Sequence, residues 1–235
     1  MVNNIQVWEP HMNEWLVGED EIKDVHSGNV LVWDRDNARL PKWFQEVEYI
    51  ESSWTQYIKT LITPTTSTRF KTKFRIISKL TEYDVLIWAT SDSFNKRYYV
   101  WWRNSSWWNT NWVYLFTPTN NYNSTNVIFW SVWVDYELQY MWTTLSDWIH
   151  SDNINHTTAP SKELYIFAEN QNDWWAVWFS NSRLYYLQLY NWTTLIRDFV
   201  PCYRKSGREV GLYDLVEKKF YTNAWSWTFT KWPNI

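Results

Sequence analysis

Histidine and carboxylate side chains are the first places to look for chemistry in this chain. The histidines are His11, His26, His150 and His156. They form no HExxH motif and no i, i+4 pair, so the usual helical arrangement of metal ligands is absent. His150 and His156 flank "SDNIN" with Asp152, a polar stretch that reads as an exposed loop rather than a ligand set. Glu46, Glu48 and Glu51 lie close together in "EVEYIES". On a strand their spacing divides them between two faces. Glycoside hydrolysis needs two carboxyl groups converging on one bond, about 5 to 9.5 Å apart, and no tight carboxylate cluster stands out on any strand. Glycine-rich phosphate loops and nucleophile elbows are also missing, even when every Trp is read as Gly. No catalytic, metal or cofactor residue is assigned, no ligand-binding residue can be named, and the expectation is a protein without enzymatic activity.

Other signals are weak. Asn104, Asn123, Asn155 and Asn191 each begin an Asn-x-Ser/Thr triplet. Without a signal peptide at "MVNNIQVWEPH", chance in an Asn- and Thr-rich chain accounts for them better than glycosylation. Cys202 is the single cysteine, which excludes an intrachain disulfide and a CxxC site. It is expected to pack as a small hydrophobe. A net charge of −3 with 20% charged residues gives no nucleic-acid footprint. The longest apolar run, "VIFWSVWV" (127–134), is too short to span a bilayer.

The anomaly is tryptophan. The chain has 22 Trp and only 4 Gly, whereas an average of roughly 7% would give about 16 Gly. A chain rich in turns needs more, because glycine supplies the positive φ values that turns demand. The excess of the one residue matches the deficit of the other. Trp112 and Trp192 follow Asn, while Trp148 and Trp174 follow Asp, as Gly does in the favoured hairpin dipeptides. Trp also crowds "NSSWWNTNW" (104–112), "DWWAVW" (173–178) and "TNAWSWTFTKW" (222–232). Two readings follow. Many of these Trp are UGA codons that the source reads as glycine, or the chain is truly Trp-rich and stacks sugars on indoles.

The elements that must position any site are strands. Residues 1–40 read as a separate segment in which "EIKDVHSGNVLVWDRD" (21–36) suits a hairpin around Ser27, Gly28 and Asn29, and Pro41 marks the boundary. From there short strands follow one another: 47–50, 55–62, 69–77, 84–90, 96–103, 112–117, 125–130, 134–141, 162–169, 182–190, 194–200 and three more within 209–230. In "RFKTKFRII", Phe70, Thr72, Phe74 and Ile76 point one way while Arg69, Lys71, Lys73 and Arg75 point the other, predicting one buried and one solvated face. Tyr98, Tyr99, Tyr185 and Tyr186 are expected in the core or in cross-strand pairs. Segments 104–126 and 151–160 read as long loops. No amphipathic helix and no solenoid repeat is found, so the expected class is an all-β antiparallel sandwich.

Two stretches carry a resemblance. "LPKWFQEVEYIESSWTQYIKT" (40–60) and "LQLYNWTTLIRDFVPCYRKSGREVGLYDLVEKKFYTNAWSWTFTKW" (187–232) resemble the opening and closing segments of LamG-like, concanavalin A-like lectin/glucanase domains of phage and prophage tail proteins. In those relatives glycine is usual at the places of Trp54, Trp192, Trp225, Trp227 and Trp232. Gly207 and Gly211 fit the same pattern. "IKDVHSGNVLVW" resembles a short module found ahead of such domains, in which Trp33 would be genuine, and Trp102 in "YYVWWRN" is a second candidate true Trp.

The resemblance implies a two-sheet jelly roll over 41–235, preceded by an attachment hairpin in 1–40. In function it implies a non-catalytic tail-fibre or minor tail component of a virion that touches host-surface glycans, with no structural motif for a cofactor. Its expected partners are that glycan, other virion or surface proteins and further copies of itself, with neither nucleic acid nor membrane. A bacterial cell-surface adhesin is the nearest alternative, and a glycoside hydrolase on the same fold is the alternative from another class.

Overall fold

A computed structural model of the protein describes residues 16–17, 20–21, 24–27, 30–34, 39–78, 83–91, 96–104, 111–115, 132–147, 151–153, 159–171, 176–225 and 227–235. The chain divides into two compact units, 1–42 and 43–235. In the first, β1 (Leu16–Val17) pairs with β2 (Asp20–Glu21), and β3 (Asp24–Ser27) pairs with β4 (Val30–Asp34), Ser27 standing opposite Val30.

The second unit is an all-β sandwich of antiparallel sheets. Its strands are β5 (Phe44–Ser53), β6 (Ile58–Lys59), β7 (Thr68–Ile76), β8 (Tyr83–Thr90), β9 (Arg97–Asn104), β10 (Asn111–Leu115), β11 (Asp135–Met141), β12 (Thr144–Ser146), β13 (Ser151–Asn153), β14 (Tyr165–Ile166), β15 (Glu169–Asn170), β16 (Ala176–Val177), β17 (Asn181–Asn191), β18 (Thr194–Arg204), β19 (Val210–Asp214), β20 (Lys219–Thr222) and β21 (Thr230–Asn234). The larger sheet runs β13-β12-β11-β7-β17-β5-β18-β19-β20, with β21 also on β5. The smaller runs β10-β9-β8-β14-β6.

Alternation explains why these segments become strands. Phe70, Thr72, Phe74 and Ile76 of β7 are buried as the pattern predicts, and with Leu138, Leu184, Leu187 and Phe199 they form one face of the core. Leu86, Ile87, Ala89, Tyr98, Val100 and Ile166 of the smaller sheet belong to the same cluster. Strands β8 and β9 are apolar on both faces, because Val85, Trp88, Tyr99 and Trp101 make a second buried cluster. There Trp88 stacks on Tyr99 with centroids 4.3 Å apart and meets Trp101 edge-on at 6.3 Å.

Several expectations need correction. Arg69 is buried, not solvated. It stands at the start of β7, where its Nε donates to the Trp142 carbonyl and its Nη1 to the carbonyls of Thr66 and Thr68, both at 2.9 Å. Its guanidinium lies 4.5 Å from the ring centroids of both Tyr140 and Trp192. The glutamates of β5 do not divide between two faces. Val47 and Ile50 both enter the core, so strict alternation slips between them, and Glu46, Glu48 and Glu51 all stay out of the interior. Trp112 lies within β10 opposite Arg103 rather than at a turn. The strand expected at 125–130, along with Trp148 and Trp174, falls outside the described residues.

Backbone conformation at the turns is distinctive. Among the described residues ten non-glycine residues have positive φ, and six are tryptophan: Trp54 (78°), Trp133 (66°), Trp142 (57°), Trp178 (48°), Trp192 (54°) and Trp227 (78°). A left-handed L-residue costs about 1–2 kcal/mol. In two hairpins the same tetrapeptide, Trp-Thr-Thr-Leu, closes the chain: Met141 pairs with Thr144 and Asn191 with Thr194. Each leaves a two-residue loop with Trp in its first, left-handed place, whereas Asn191 is the last residue of its strand and not a loop residue.

Two positions in β18 and β19 give direct tests. A Cβ on Gly211 would lie 2.1 Å from the Tyr221 carbonyl oxygen on β20. Gly211→Ala should therefore force the strands apart and destabilise the fold by about 1–3 kcal/mol or more, read as a lower midpoint in urea unfolding. Cys202 is fully buried, and burial, reinforced by the nearby Glu46 charge, pushes its thiol up to about 12. It should resist a thiol reagent at pH 8 in the native protein and react at once in denaturant; fast native labelling would contradict this packing.

Candidate functional site

Outward from the core, the larger sheet carries a polar face whose partners are fixed by register. Strand β11 lies beside β7 so that Asp135 faces Arg75, Glu137 faces Lys73 and Gln139 faces Lys71. On the other side of β7, β17 carries a bulge: Leu184 pairs with Phe74 and Tyr186 with Lys73, leaving Tyr185 as the extra residue. A bulge turns two successive side chains towards one face. Tyr185 and Tyr186 accordingly both stand on the polar side, where strict alternation would have put one of them in the core.

At one end of this face the groups are tied together. Asp135 accepts from Arg75 Nε at 2.5 Å and from the Tyr185 hydroxyl at 2.8 Å, with Lys73 Nζ at 3.6 Å. Burial alone would raise the Asp135 carboxyl. The hydrogen bonds from Arg75 and Tyr185, with the charges of Arg75 and Lys73, outweigh it and hold the group below its ordinary range. Arg183 bonds Glu51 at 2.7 Å and lies 4.2 Å over the Tyr49 ring, which meets Tyr185 edge-on. At the other end the Tyr190 hydroxyl donates to Gln188, whose amide donates to Asp198.

The same face carries an open depression of about 390 Å³ lined by Lys71, Glu137, Leu138, Gln139, Ser146, Asp147 and Tyr186. Gln139 Nε2 donates to Ser146 Oγ at 3.1 Å. The Tyr186 phenol is pushed up, first by burial and then by the Glu137 charge. An ammonium, an amide, a hydroxyl, two carboxyl groups and a phenol therefore converge on one hollow. Such a set exchanges hydrogen bonds with a polyhydroxylated ligand, the phenol ring adding an apolar surface.

None of these residues was singled out as a site in the sequence. Lys71 was legible as an outward residue of β7, but its neighbours come from β11, β12 and β17 and meet only through pairing. Of the histidines, His26 lies in β3, and His11, His150 and His156 fall outside the described residues. Asp152 lies in β13 opposite Leu145. Asn104 and Asn191 end strands, while Asn123 and Asn155 are outside the described residues. No group of three or more His, Cys, Asp or Glu side chains is placed to hold a metal ion among the described residues. No protein-family model matches the chain, and no curated protein matches it.

A further acid lies away from the depression. Glu169 of β15 is fully buried, and its carboxyl oxygens make no hydrogen bond. Burial raises it to about 8, against an opposing influence from the Arg97 charge. The folded protein thus holds a proton that the unfolded chain releases near the ordinary glutamate value of about 4.3. Stability from this group is complete at low pH and declines as pH rises from about 4.3 to about 8. Glu169→Gln should flatten that decline, so the mutant gains on the wild type across this window and the difference levels off above pH 8. Urea titrations of both proteins from pH 5 to 9 would show it; parallel curves would contradict the assignment.

Proposed function

We propose that the sandwich is a non-catalytic glycan-binding domain, of the LamG-like, concanavalin A-like kind, carried on a phage or prophage tail and directed at host-surface polysaccharide. The observation that carries the reading is the depression beside the β17 bulge, where Lys71, Gln139, Ser146 and Tyr186 present donors, acceptors and a ring on a sheet face. The two stretches that resemble the tail-protein domains supply β5, β6 and most of β17 to β21. They bring in the family's jelly-roll topology, a virion location and the attachment role of residues 1–40 as parts of the same proposal. An adhesin on a bacterial surface would use the same chemistry from another support.

Single sugar contacts are weak, so several copies held together suit this role. Linked sites gain about 10² to 10⁴ in avidity without new contacts, and a repeated, for instance trimeric, display is part of the proposal. One observation favours a second reading. Glu137 and Asp147 both line the depression, and paired carboxyl groups are what a glycoside hydrolase on this fold would use.

The experiment presents multimerised protein, with its fold verified by circular dichroism, to host envelope polysaccharide and follows both retention and release of reducing ends. Retention without release is expected, weakened about tenfold or more by Tyr186→Ala or Lys71→Ala, since a lost hydrogen bond to a charged group is worth about 1.5–3 kcal/mol. Release abolished by Glu137→Gln would replace binding with hydrolysis. Absence of retention in the multimer would overturn both readings.

A further inference from the structure

We infer that the natural protein carries glycine at positions 54, 133, 142, 178, 192 and 227, its gene using there a codon that the standard code does not read as glycine, and that Trp88 and Trp101 are genuine. The inference rests on backbone geometry and composition and is independent of the ligand. Among the described residues, tryptophan supplies six of the ten left-handed non-glycine positions. Asn and Asp are the usual non-glycine occupants of that region, and among the described residues neither is one of the ten.

The side chains face mainly solvent, although Trp192 lies over Arg69, Trp133 over Arg183 and Trp178 edge-on to Trp88. Trp133, Trp142, Trp178, Trp192 and Trp227 are exposed by 42 to 75%. At Trp142 and Trp192 the left-handed residue is the first of a two-residue hairpin loop, the place that glycine fills in a type II′ turn. Trp88 and Trp101 are the contrast: extended, in mid-strand, 1% and 5% exposed, Trp88 stacked on Tyr99 and Trp101 edge-on to it. The exposed Trp225 and Trp232 are not left-handed, and the inference does not extend to them. UGA is a stop in the standard code and Trp in codes that read it with UGG, so a gene using UGA for glycine, translated by such a code, gains tryptophan at those glycines and no other residue.

The substitution also changes the surface. The Trp192 ring covers one face of the Arg69 guanidinium, and the backbone around it brings together the loops at 65–67, 142–143 and 192–193: Trp192 N–H donates to the Ser67 carbonyl at 2.9 Å, and Arg69 donates to Thr66 and Trp142. With glycine at 192 the guanidinium keeps its backbone acceptors and is uncovered at the loop end of the sandwich.

The test reads the gene and the protein made in its native host. UGA at the six codons with UGG at 88 and 101, and peptide masses showing glycine at the six and tryptophan at the two, are the expected results; UGG codons or tryptophan masses at the six would overturn the inference. Variants of the chain as written give an independent measurement. Trp→Gly at each of the six should raise the urea midpoint, Trp→Ala at the same place should raise it less, and Trp88→Gly should lower it. Midpoints that fall for the six as they do for Trp88 would also overturn it.

Discussion

Pairing of β7 with β17 is the constraint on which the rest of the sandwich depends. One face of the pair contributes Phe70, Phe74, Ile76, Leu184, Leu187 and Leu189 to the core against the smaller sheet. Burying such side chains is worth about 1.5–3 kcal/mol each. A slip of one residue would exchange the apolar row for the lysines and arginine of the other face. The energy that joins the sheets therefore also fixes which polar groups stand together outside. The bulge at Tyr185 lets the ladder keep its core register on both sides while adding a second tyrosine to the polar face.

The ion pairs on that face orient side chains more than they stabilise the fold. Lys73 and Asp135 are both about one-third exposed, and pairs of that kind contribute about 0–1 kcal/mol. Their effect is geometric. Asp135 engages Arg75, Lys73 and the Tyr185 hydroxyl, so these groups are held at one end of the sheet, while Lys71, Gln139 and Tyr186 stand beside the depression. On the proposed binding role, a polar face sorted into a bonded end and a hollow would leave fewer side chains to be ordered by a sugar.

Much of the fold was legible because period two is a local property. The row Phe70, Phe74, Ile76 and most strand positions follow from it directly. Arg69 breaks the rule because a residue at a strand's first turn can reach carbonyls of its own loop, which alternation does not encode. Tyr185 is buried and meets Tyr49 on the neighbouring strand, as expected, but that Tyr186 shares its face was not legible, because a bulge leaves no local mark in "LYYLQL". The depression was illegible for a different reason: Lys71, Glu137, Ser146 and Tyr186 come from four strands whose neighbours are set by long-range pairing. Glu169 gave no signal either, since its burial depends on what packs over β15 and not on its own short strand.

The turns connect conformation to the site. The loop at Trp142 and Thr143 joins β11 to β12, and its two-residue length sets Gln139 opposite Ser146. That register is what lets the Gln139 amide reach the Ser146 hydroxyl at 3.1 Å inside the depression. The loop at Trp192 and Thr193 sets Tyr190 opposite Leu195, and a bulge at Ile196 then shifts the register so that Gln188 stands opposite Asp198. The favoured two-residue loops hold their first residue at positive φ, so the backbone freedom at 142 governs side chains several residues away. The same demand that makes tryptophan costly at these positions also aligns the polar face, so residues far from the depression set which side chains line it.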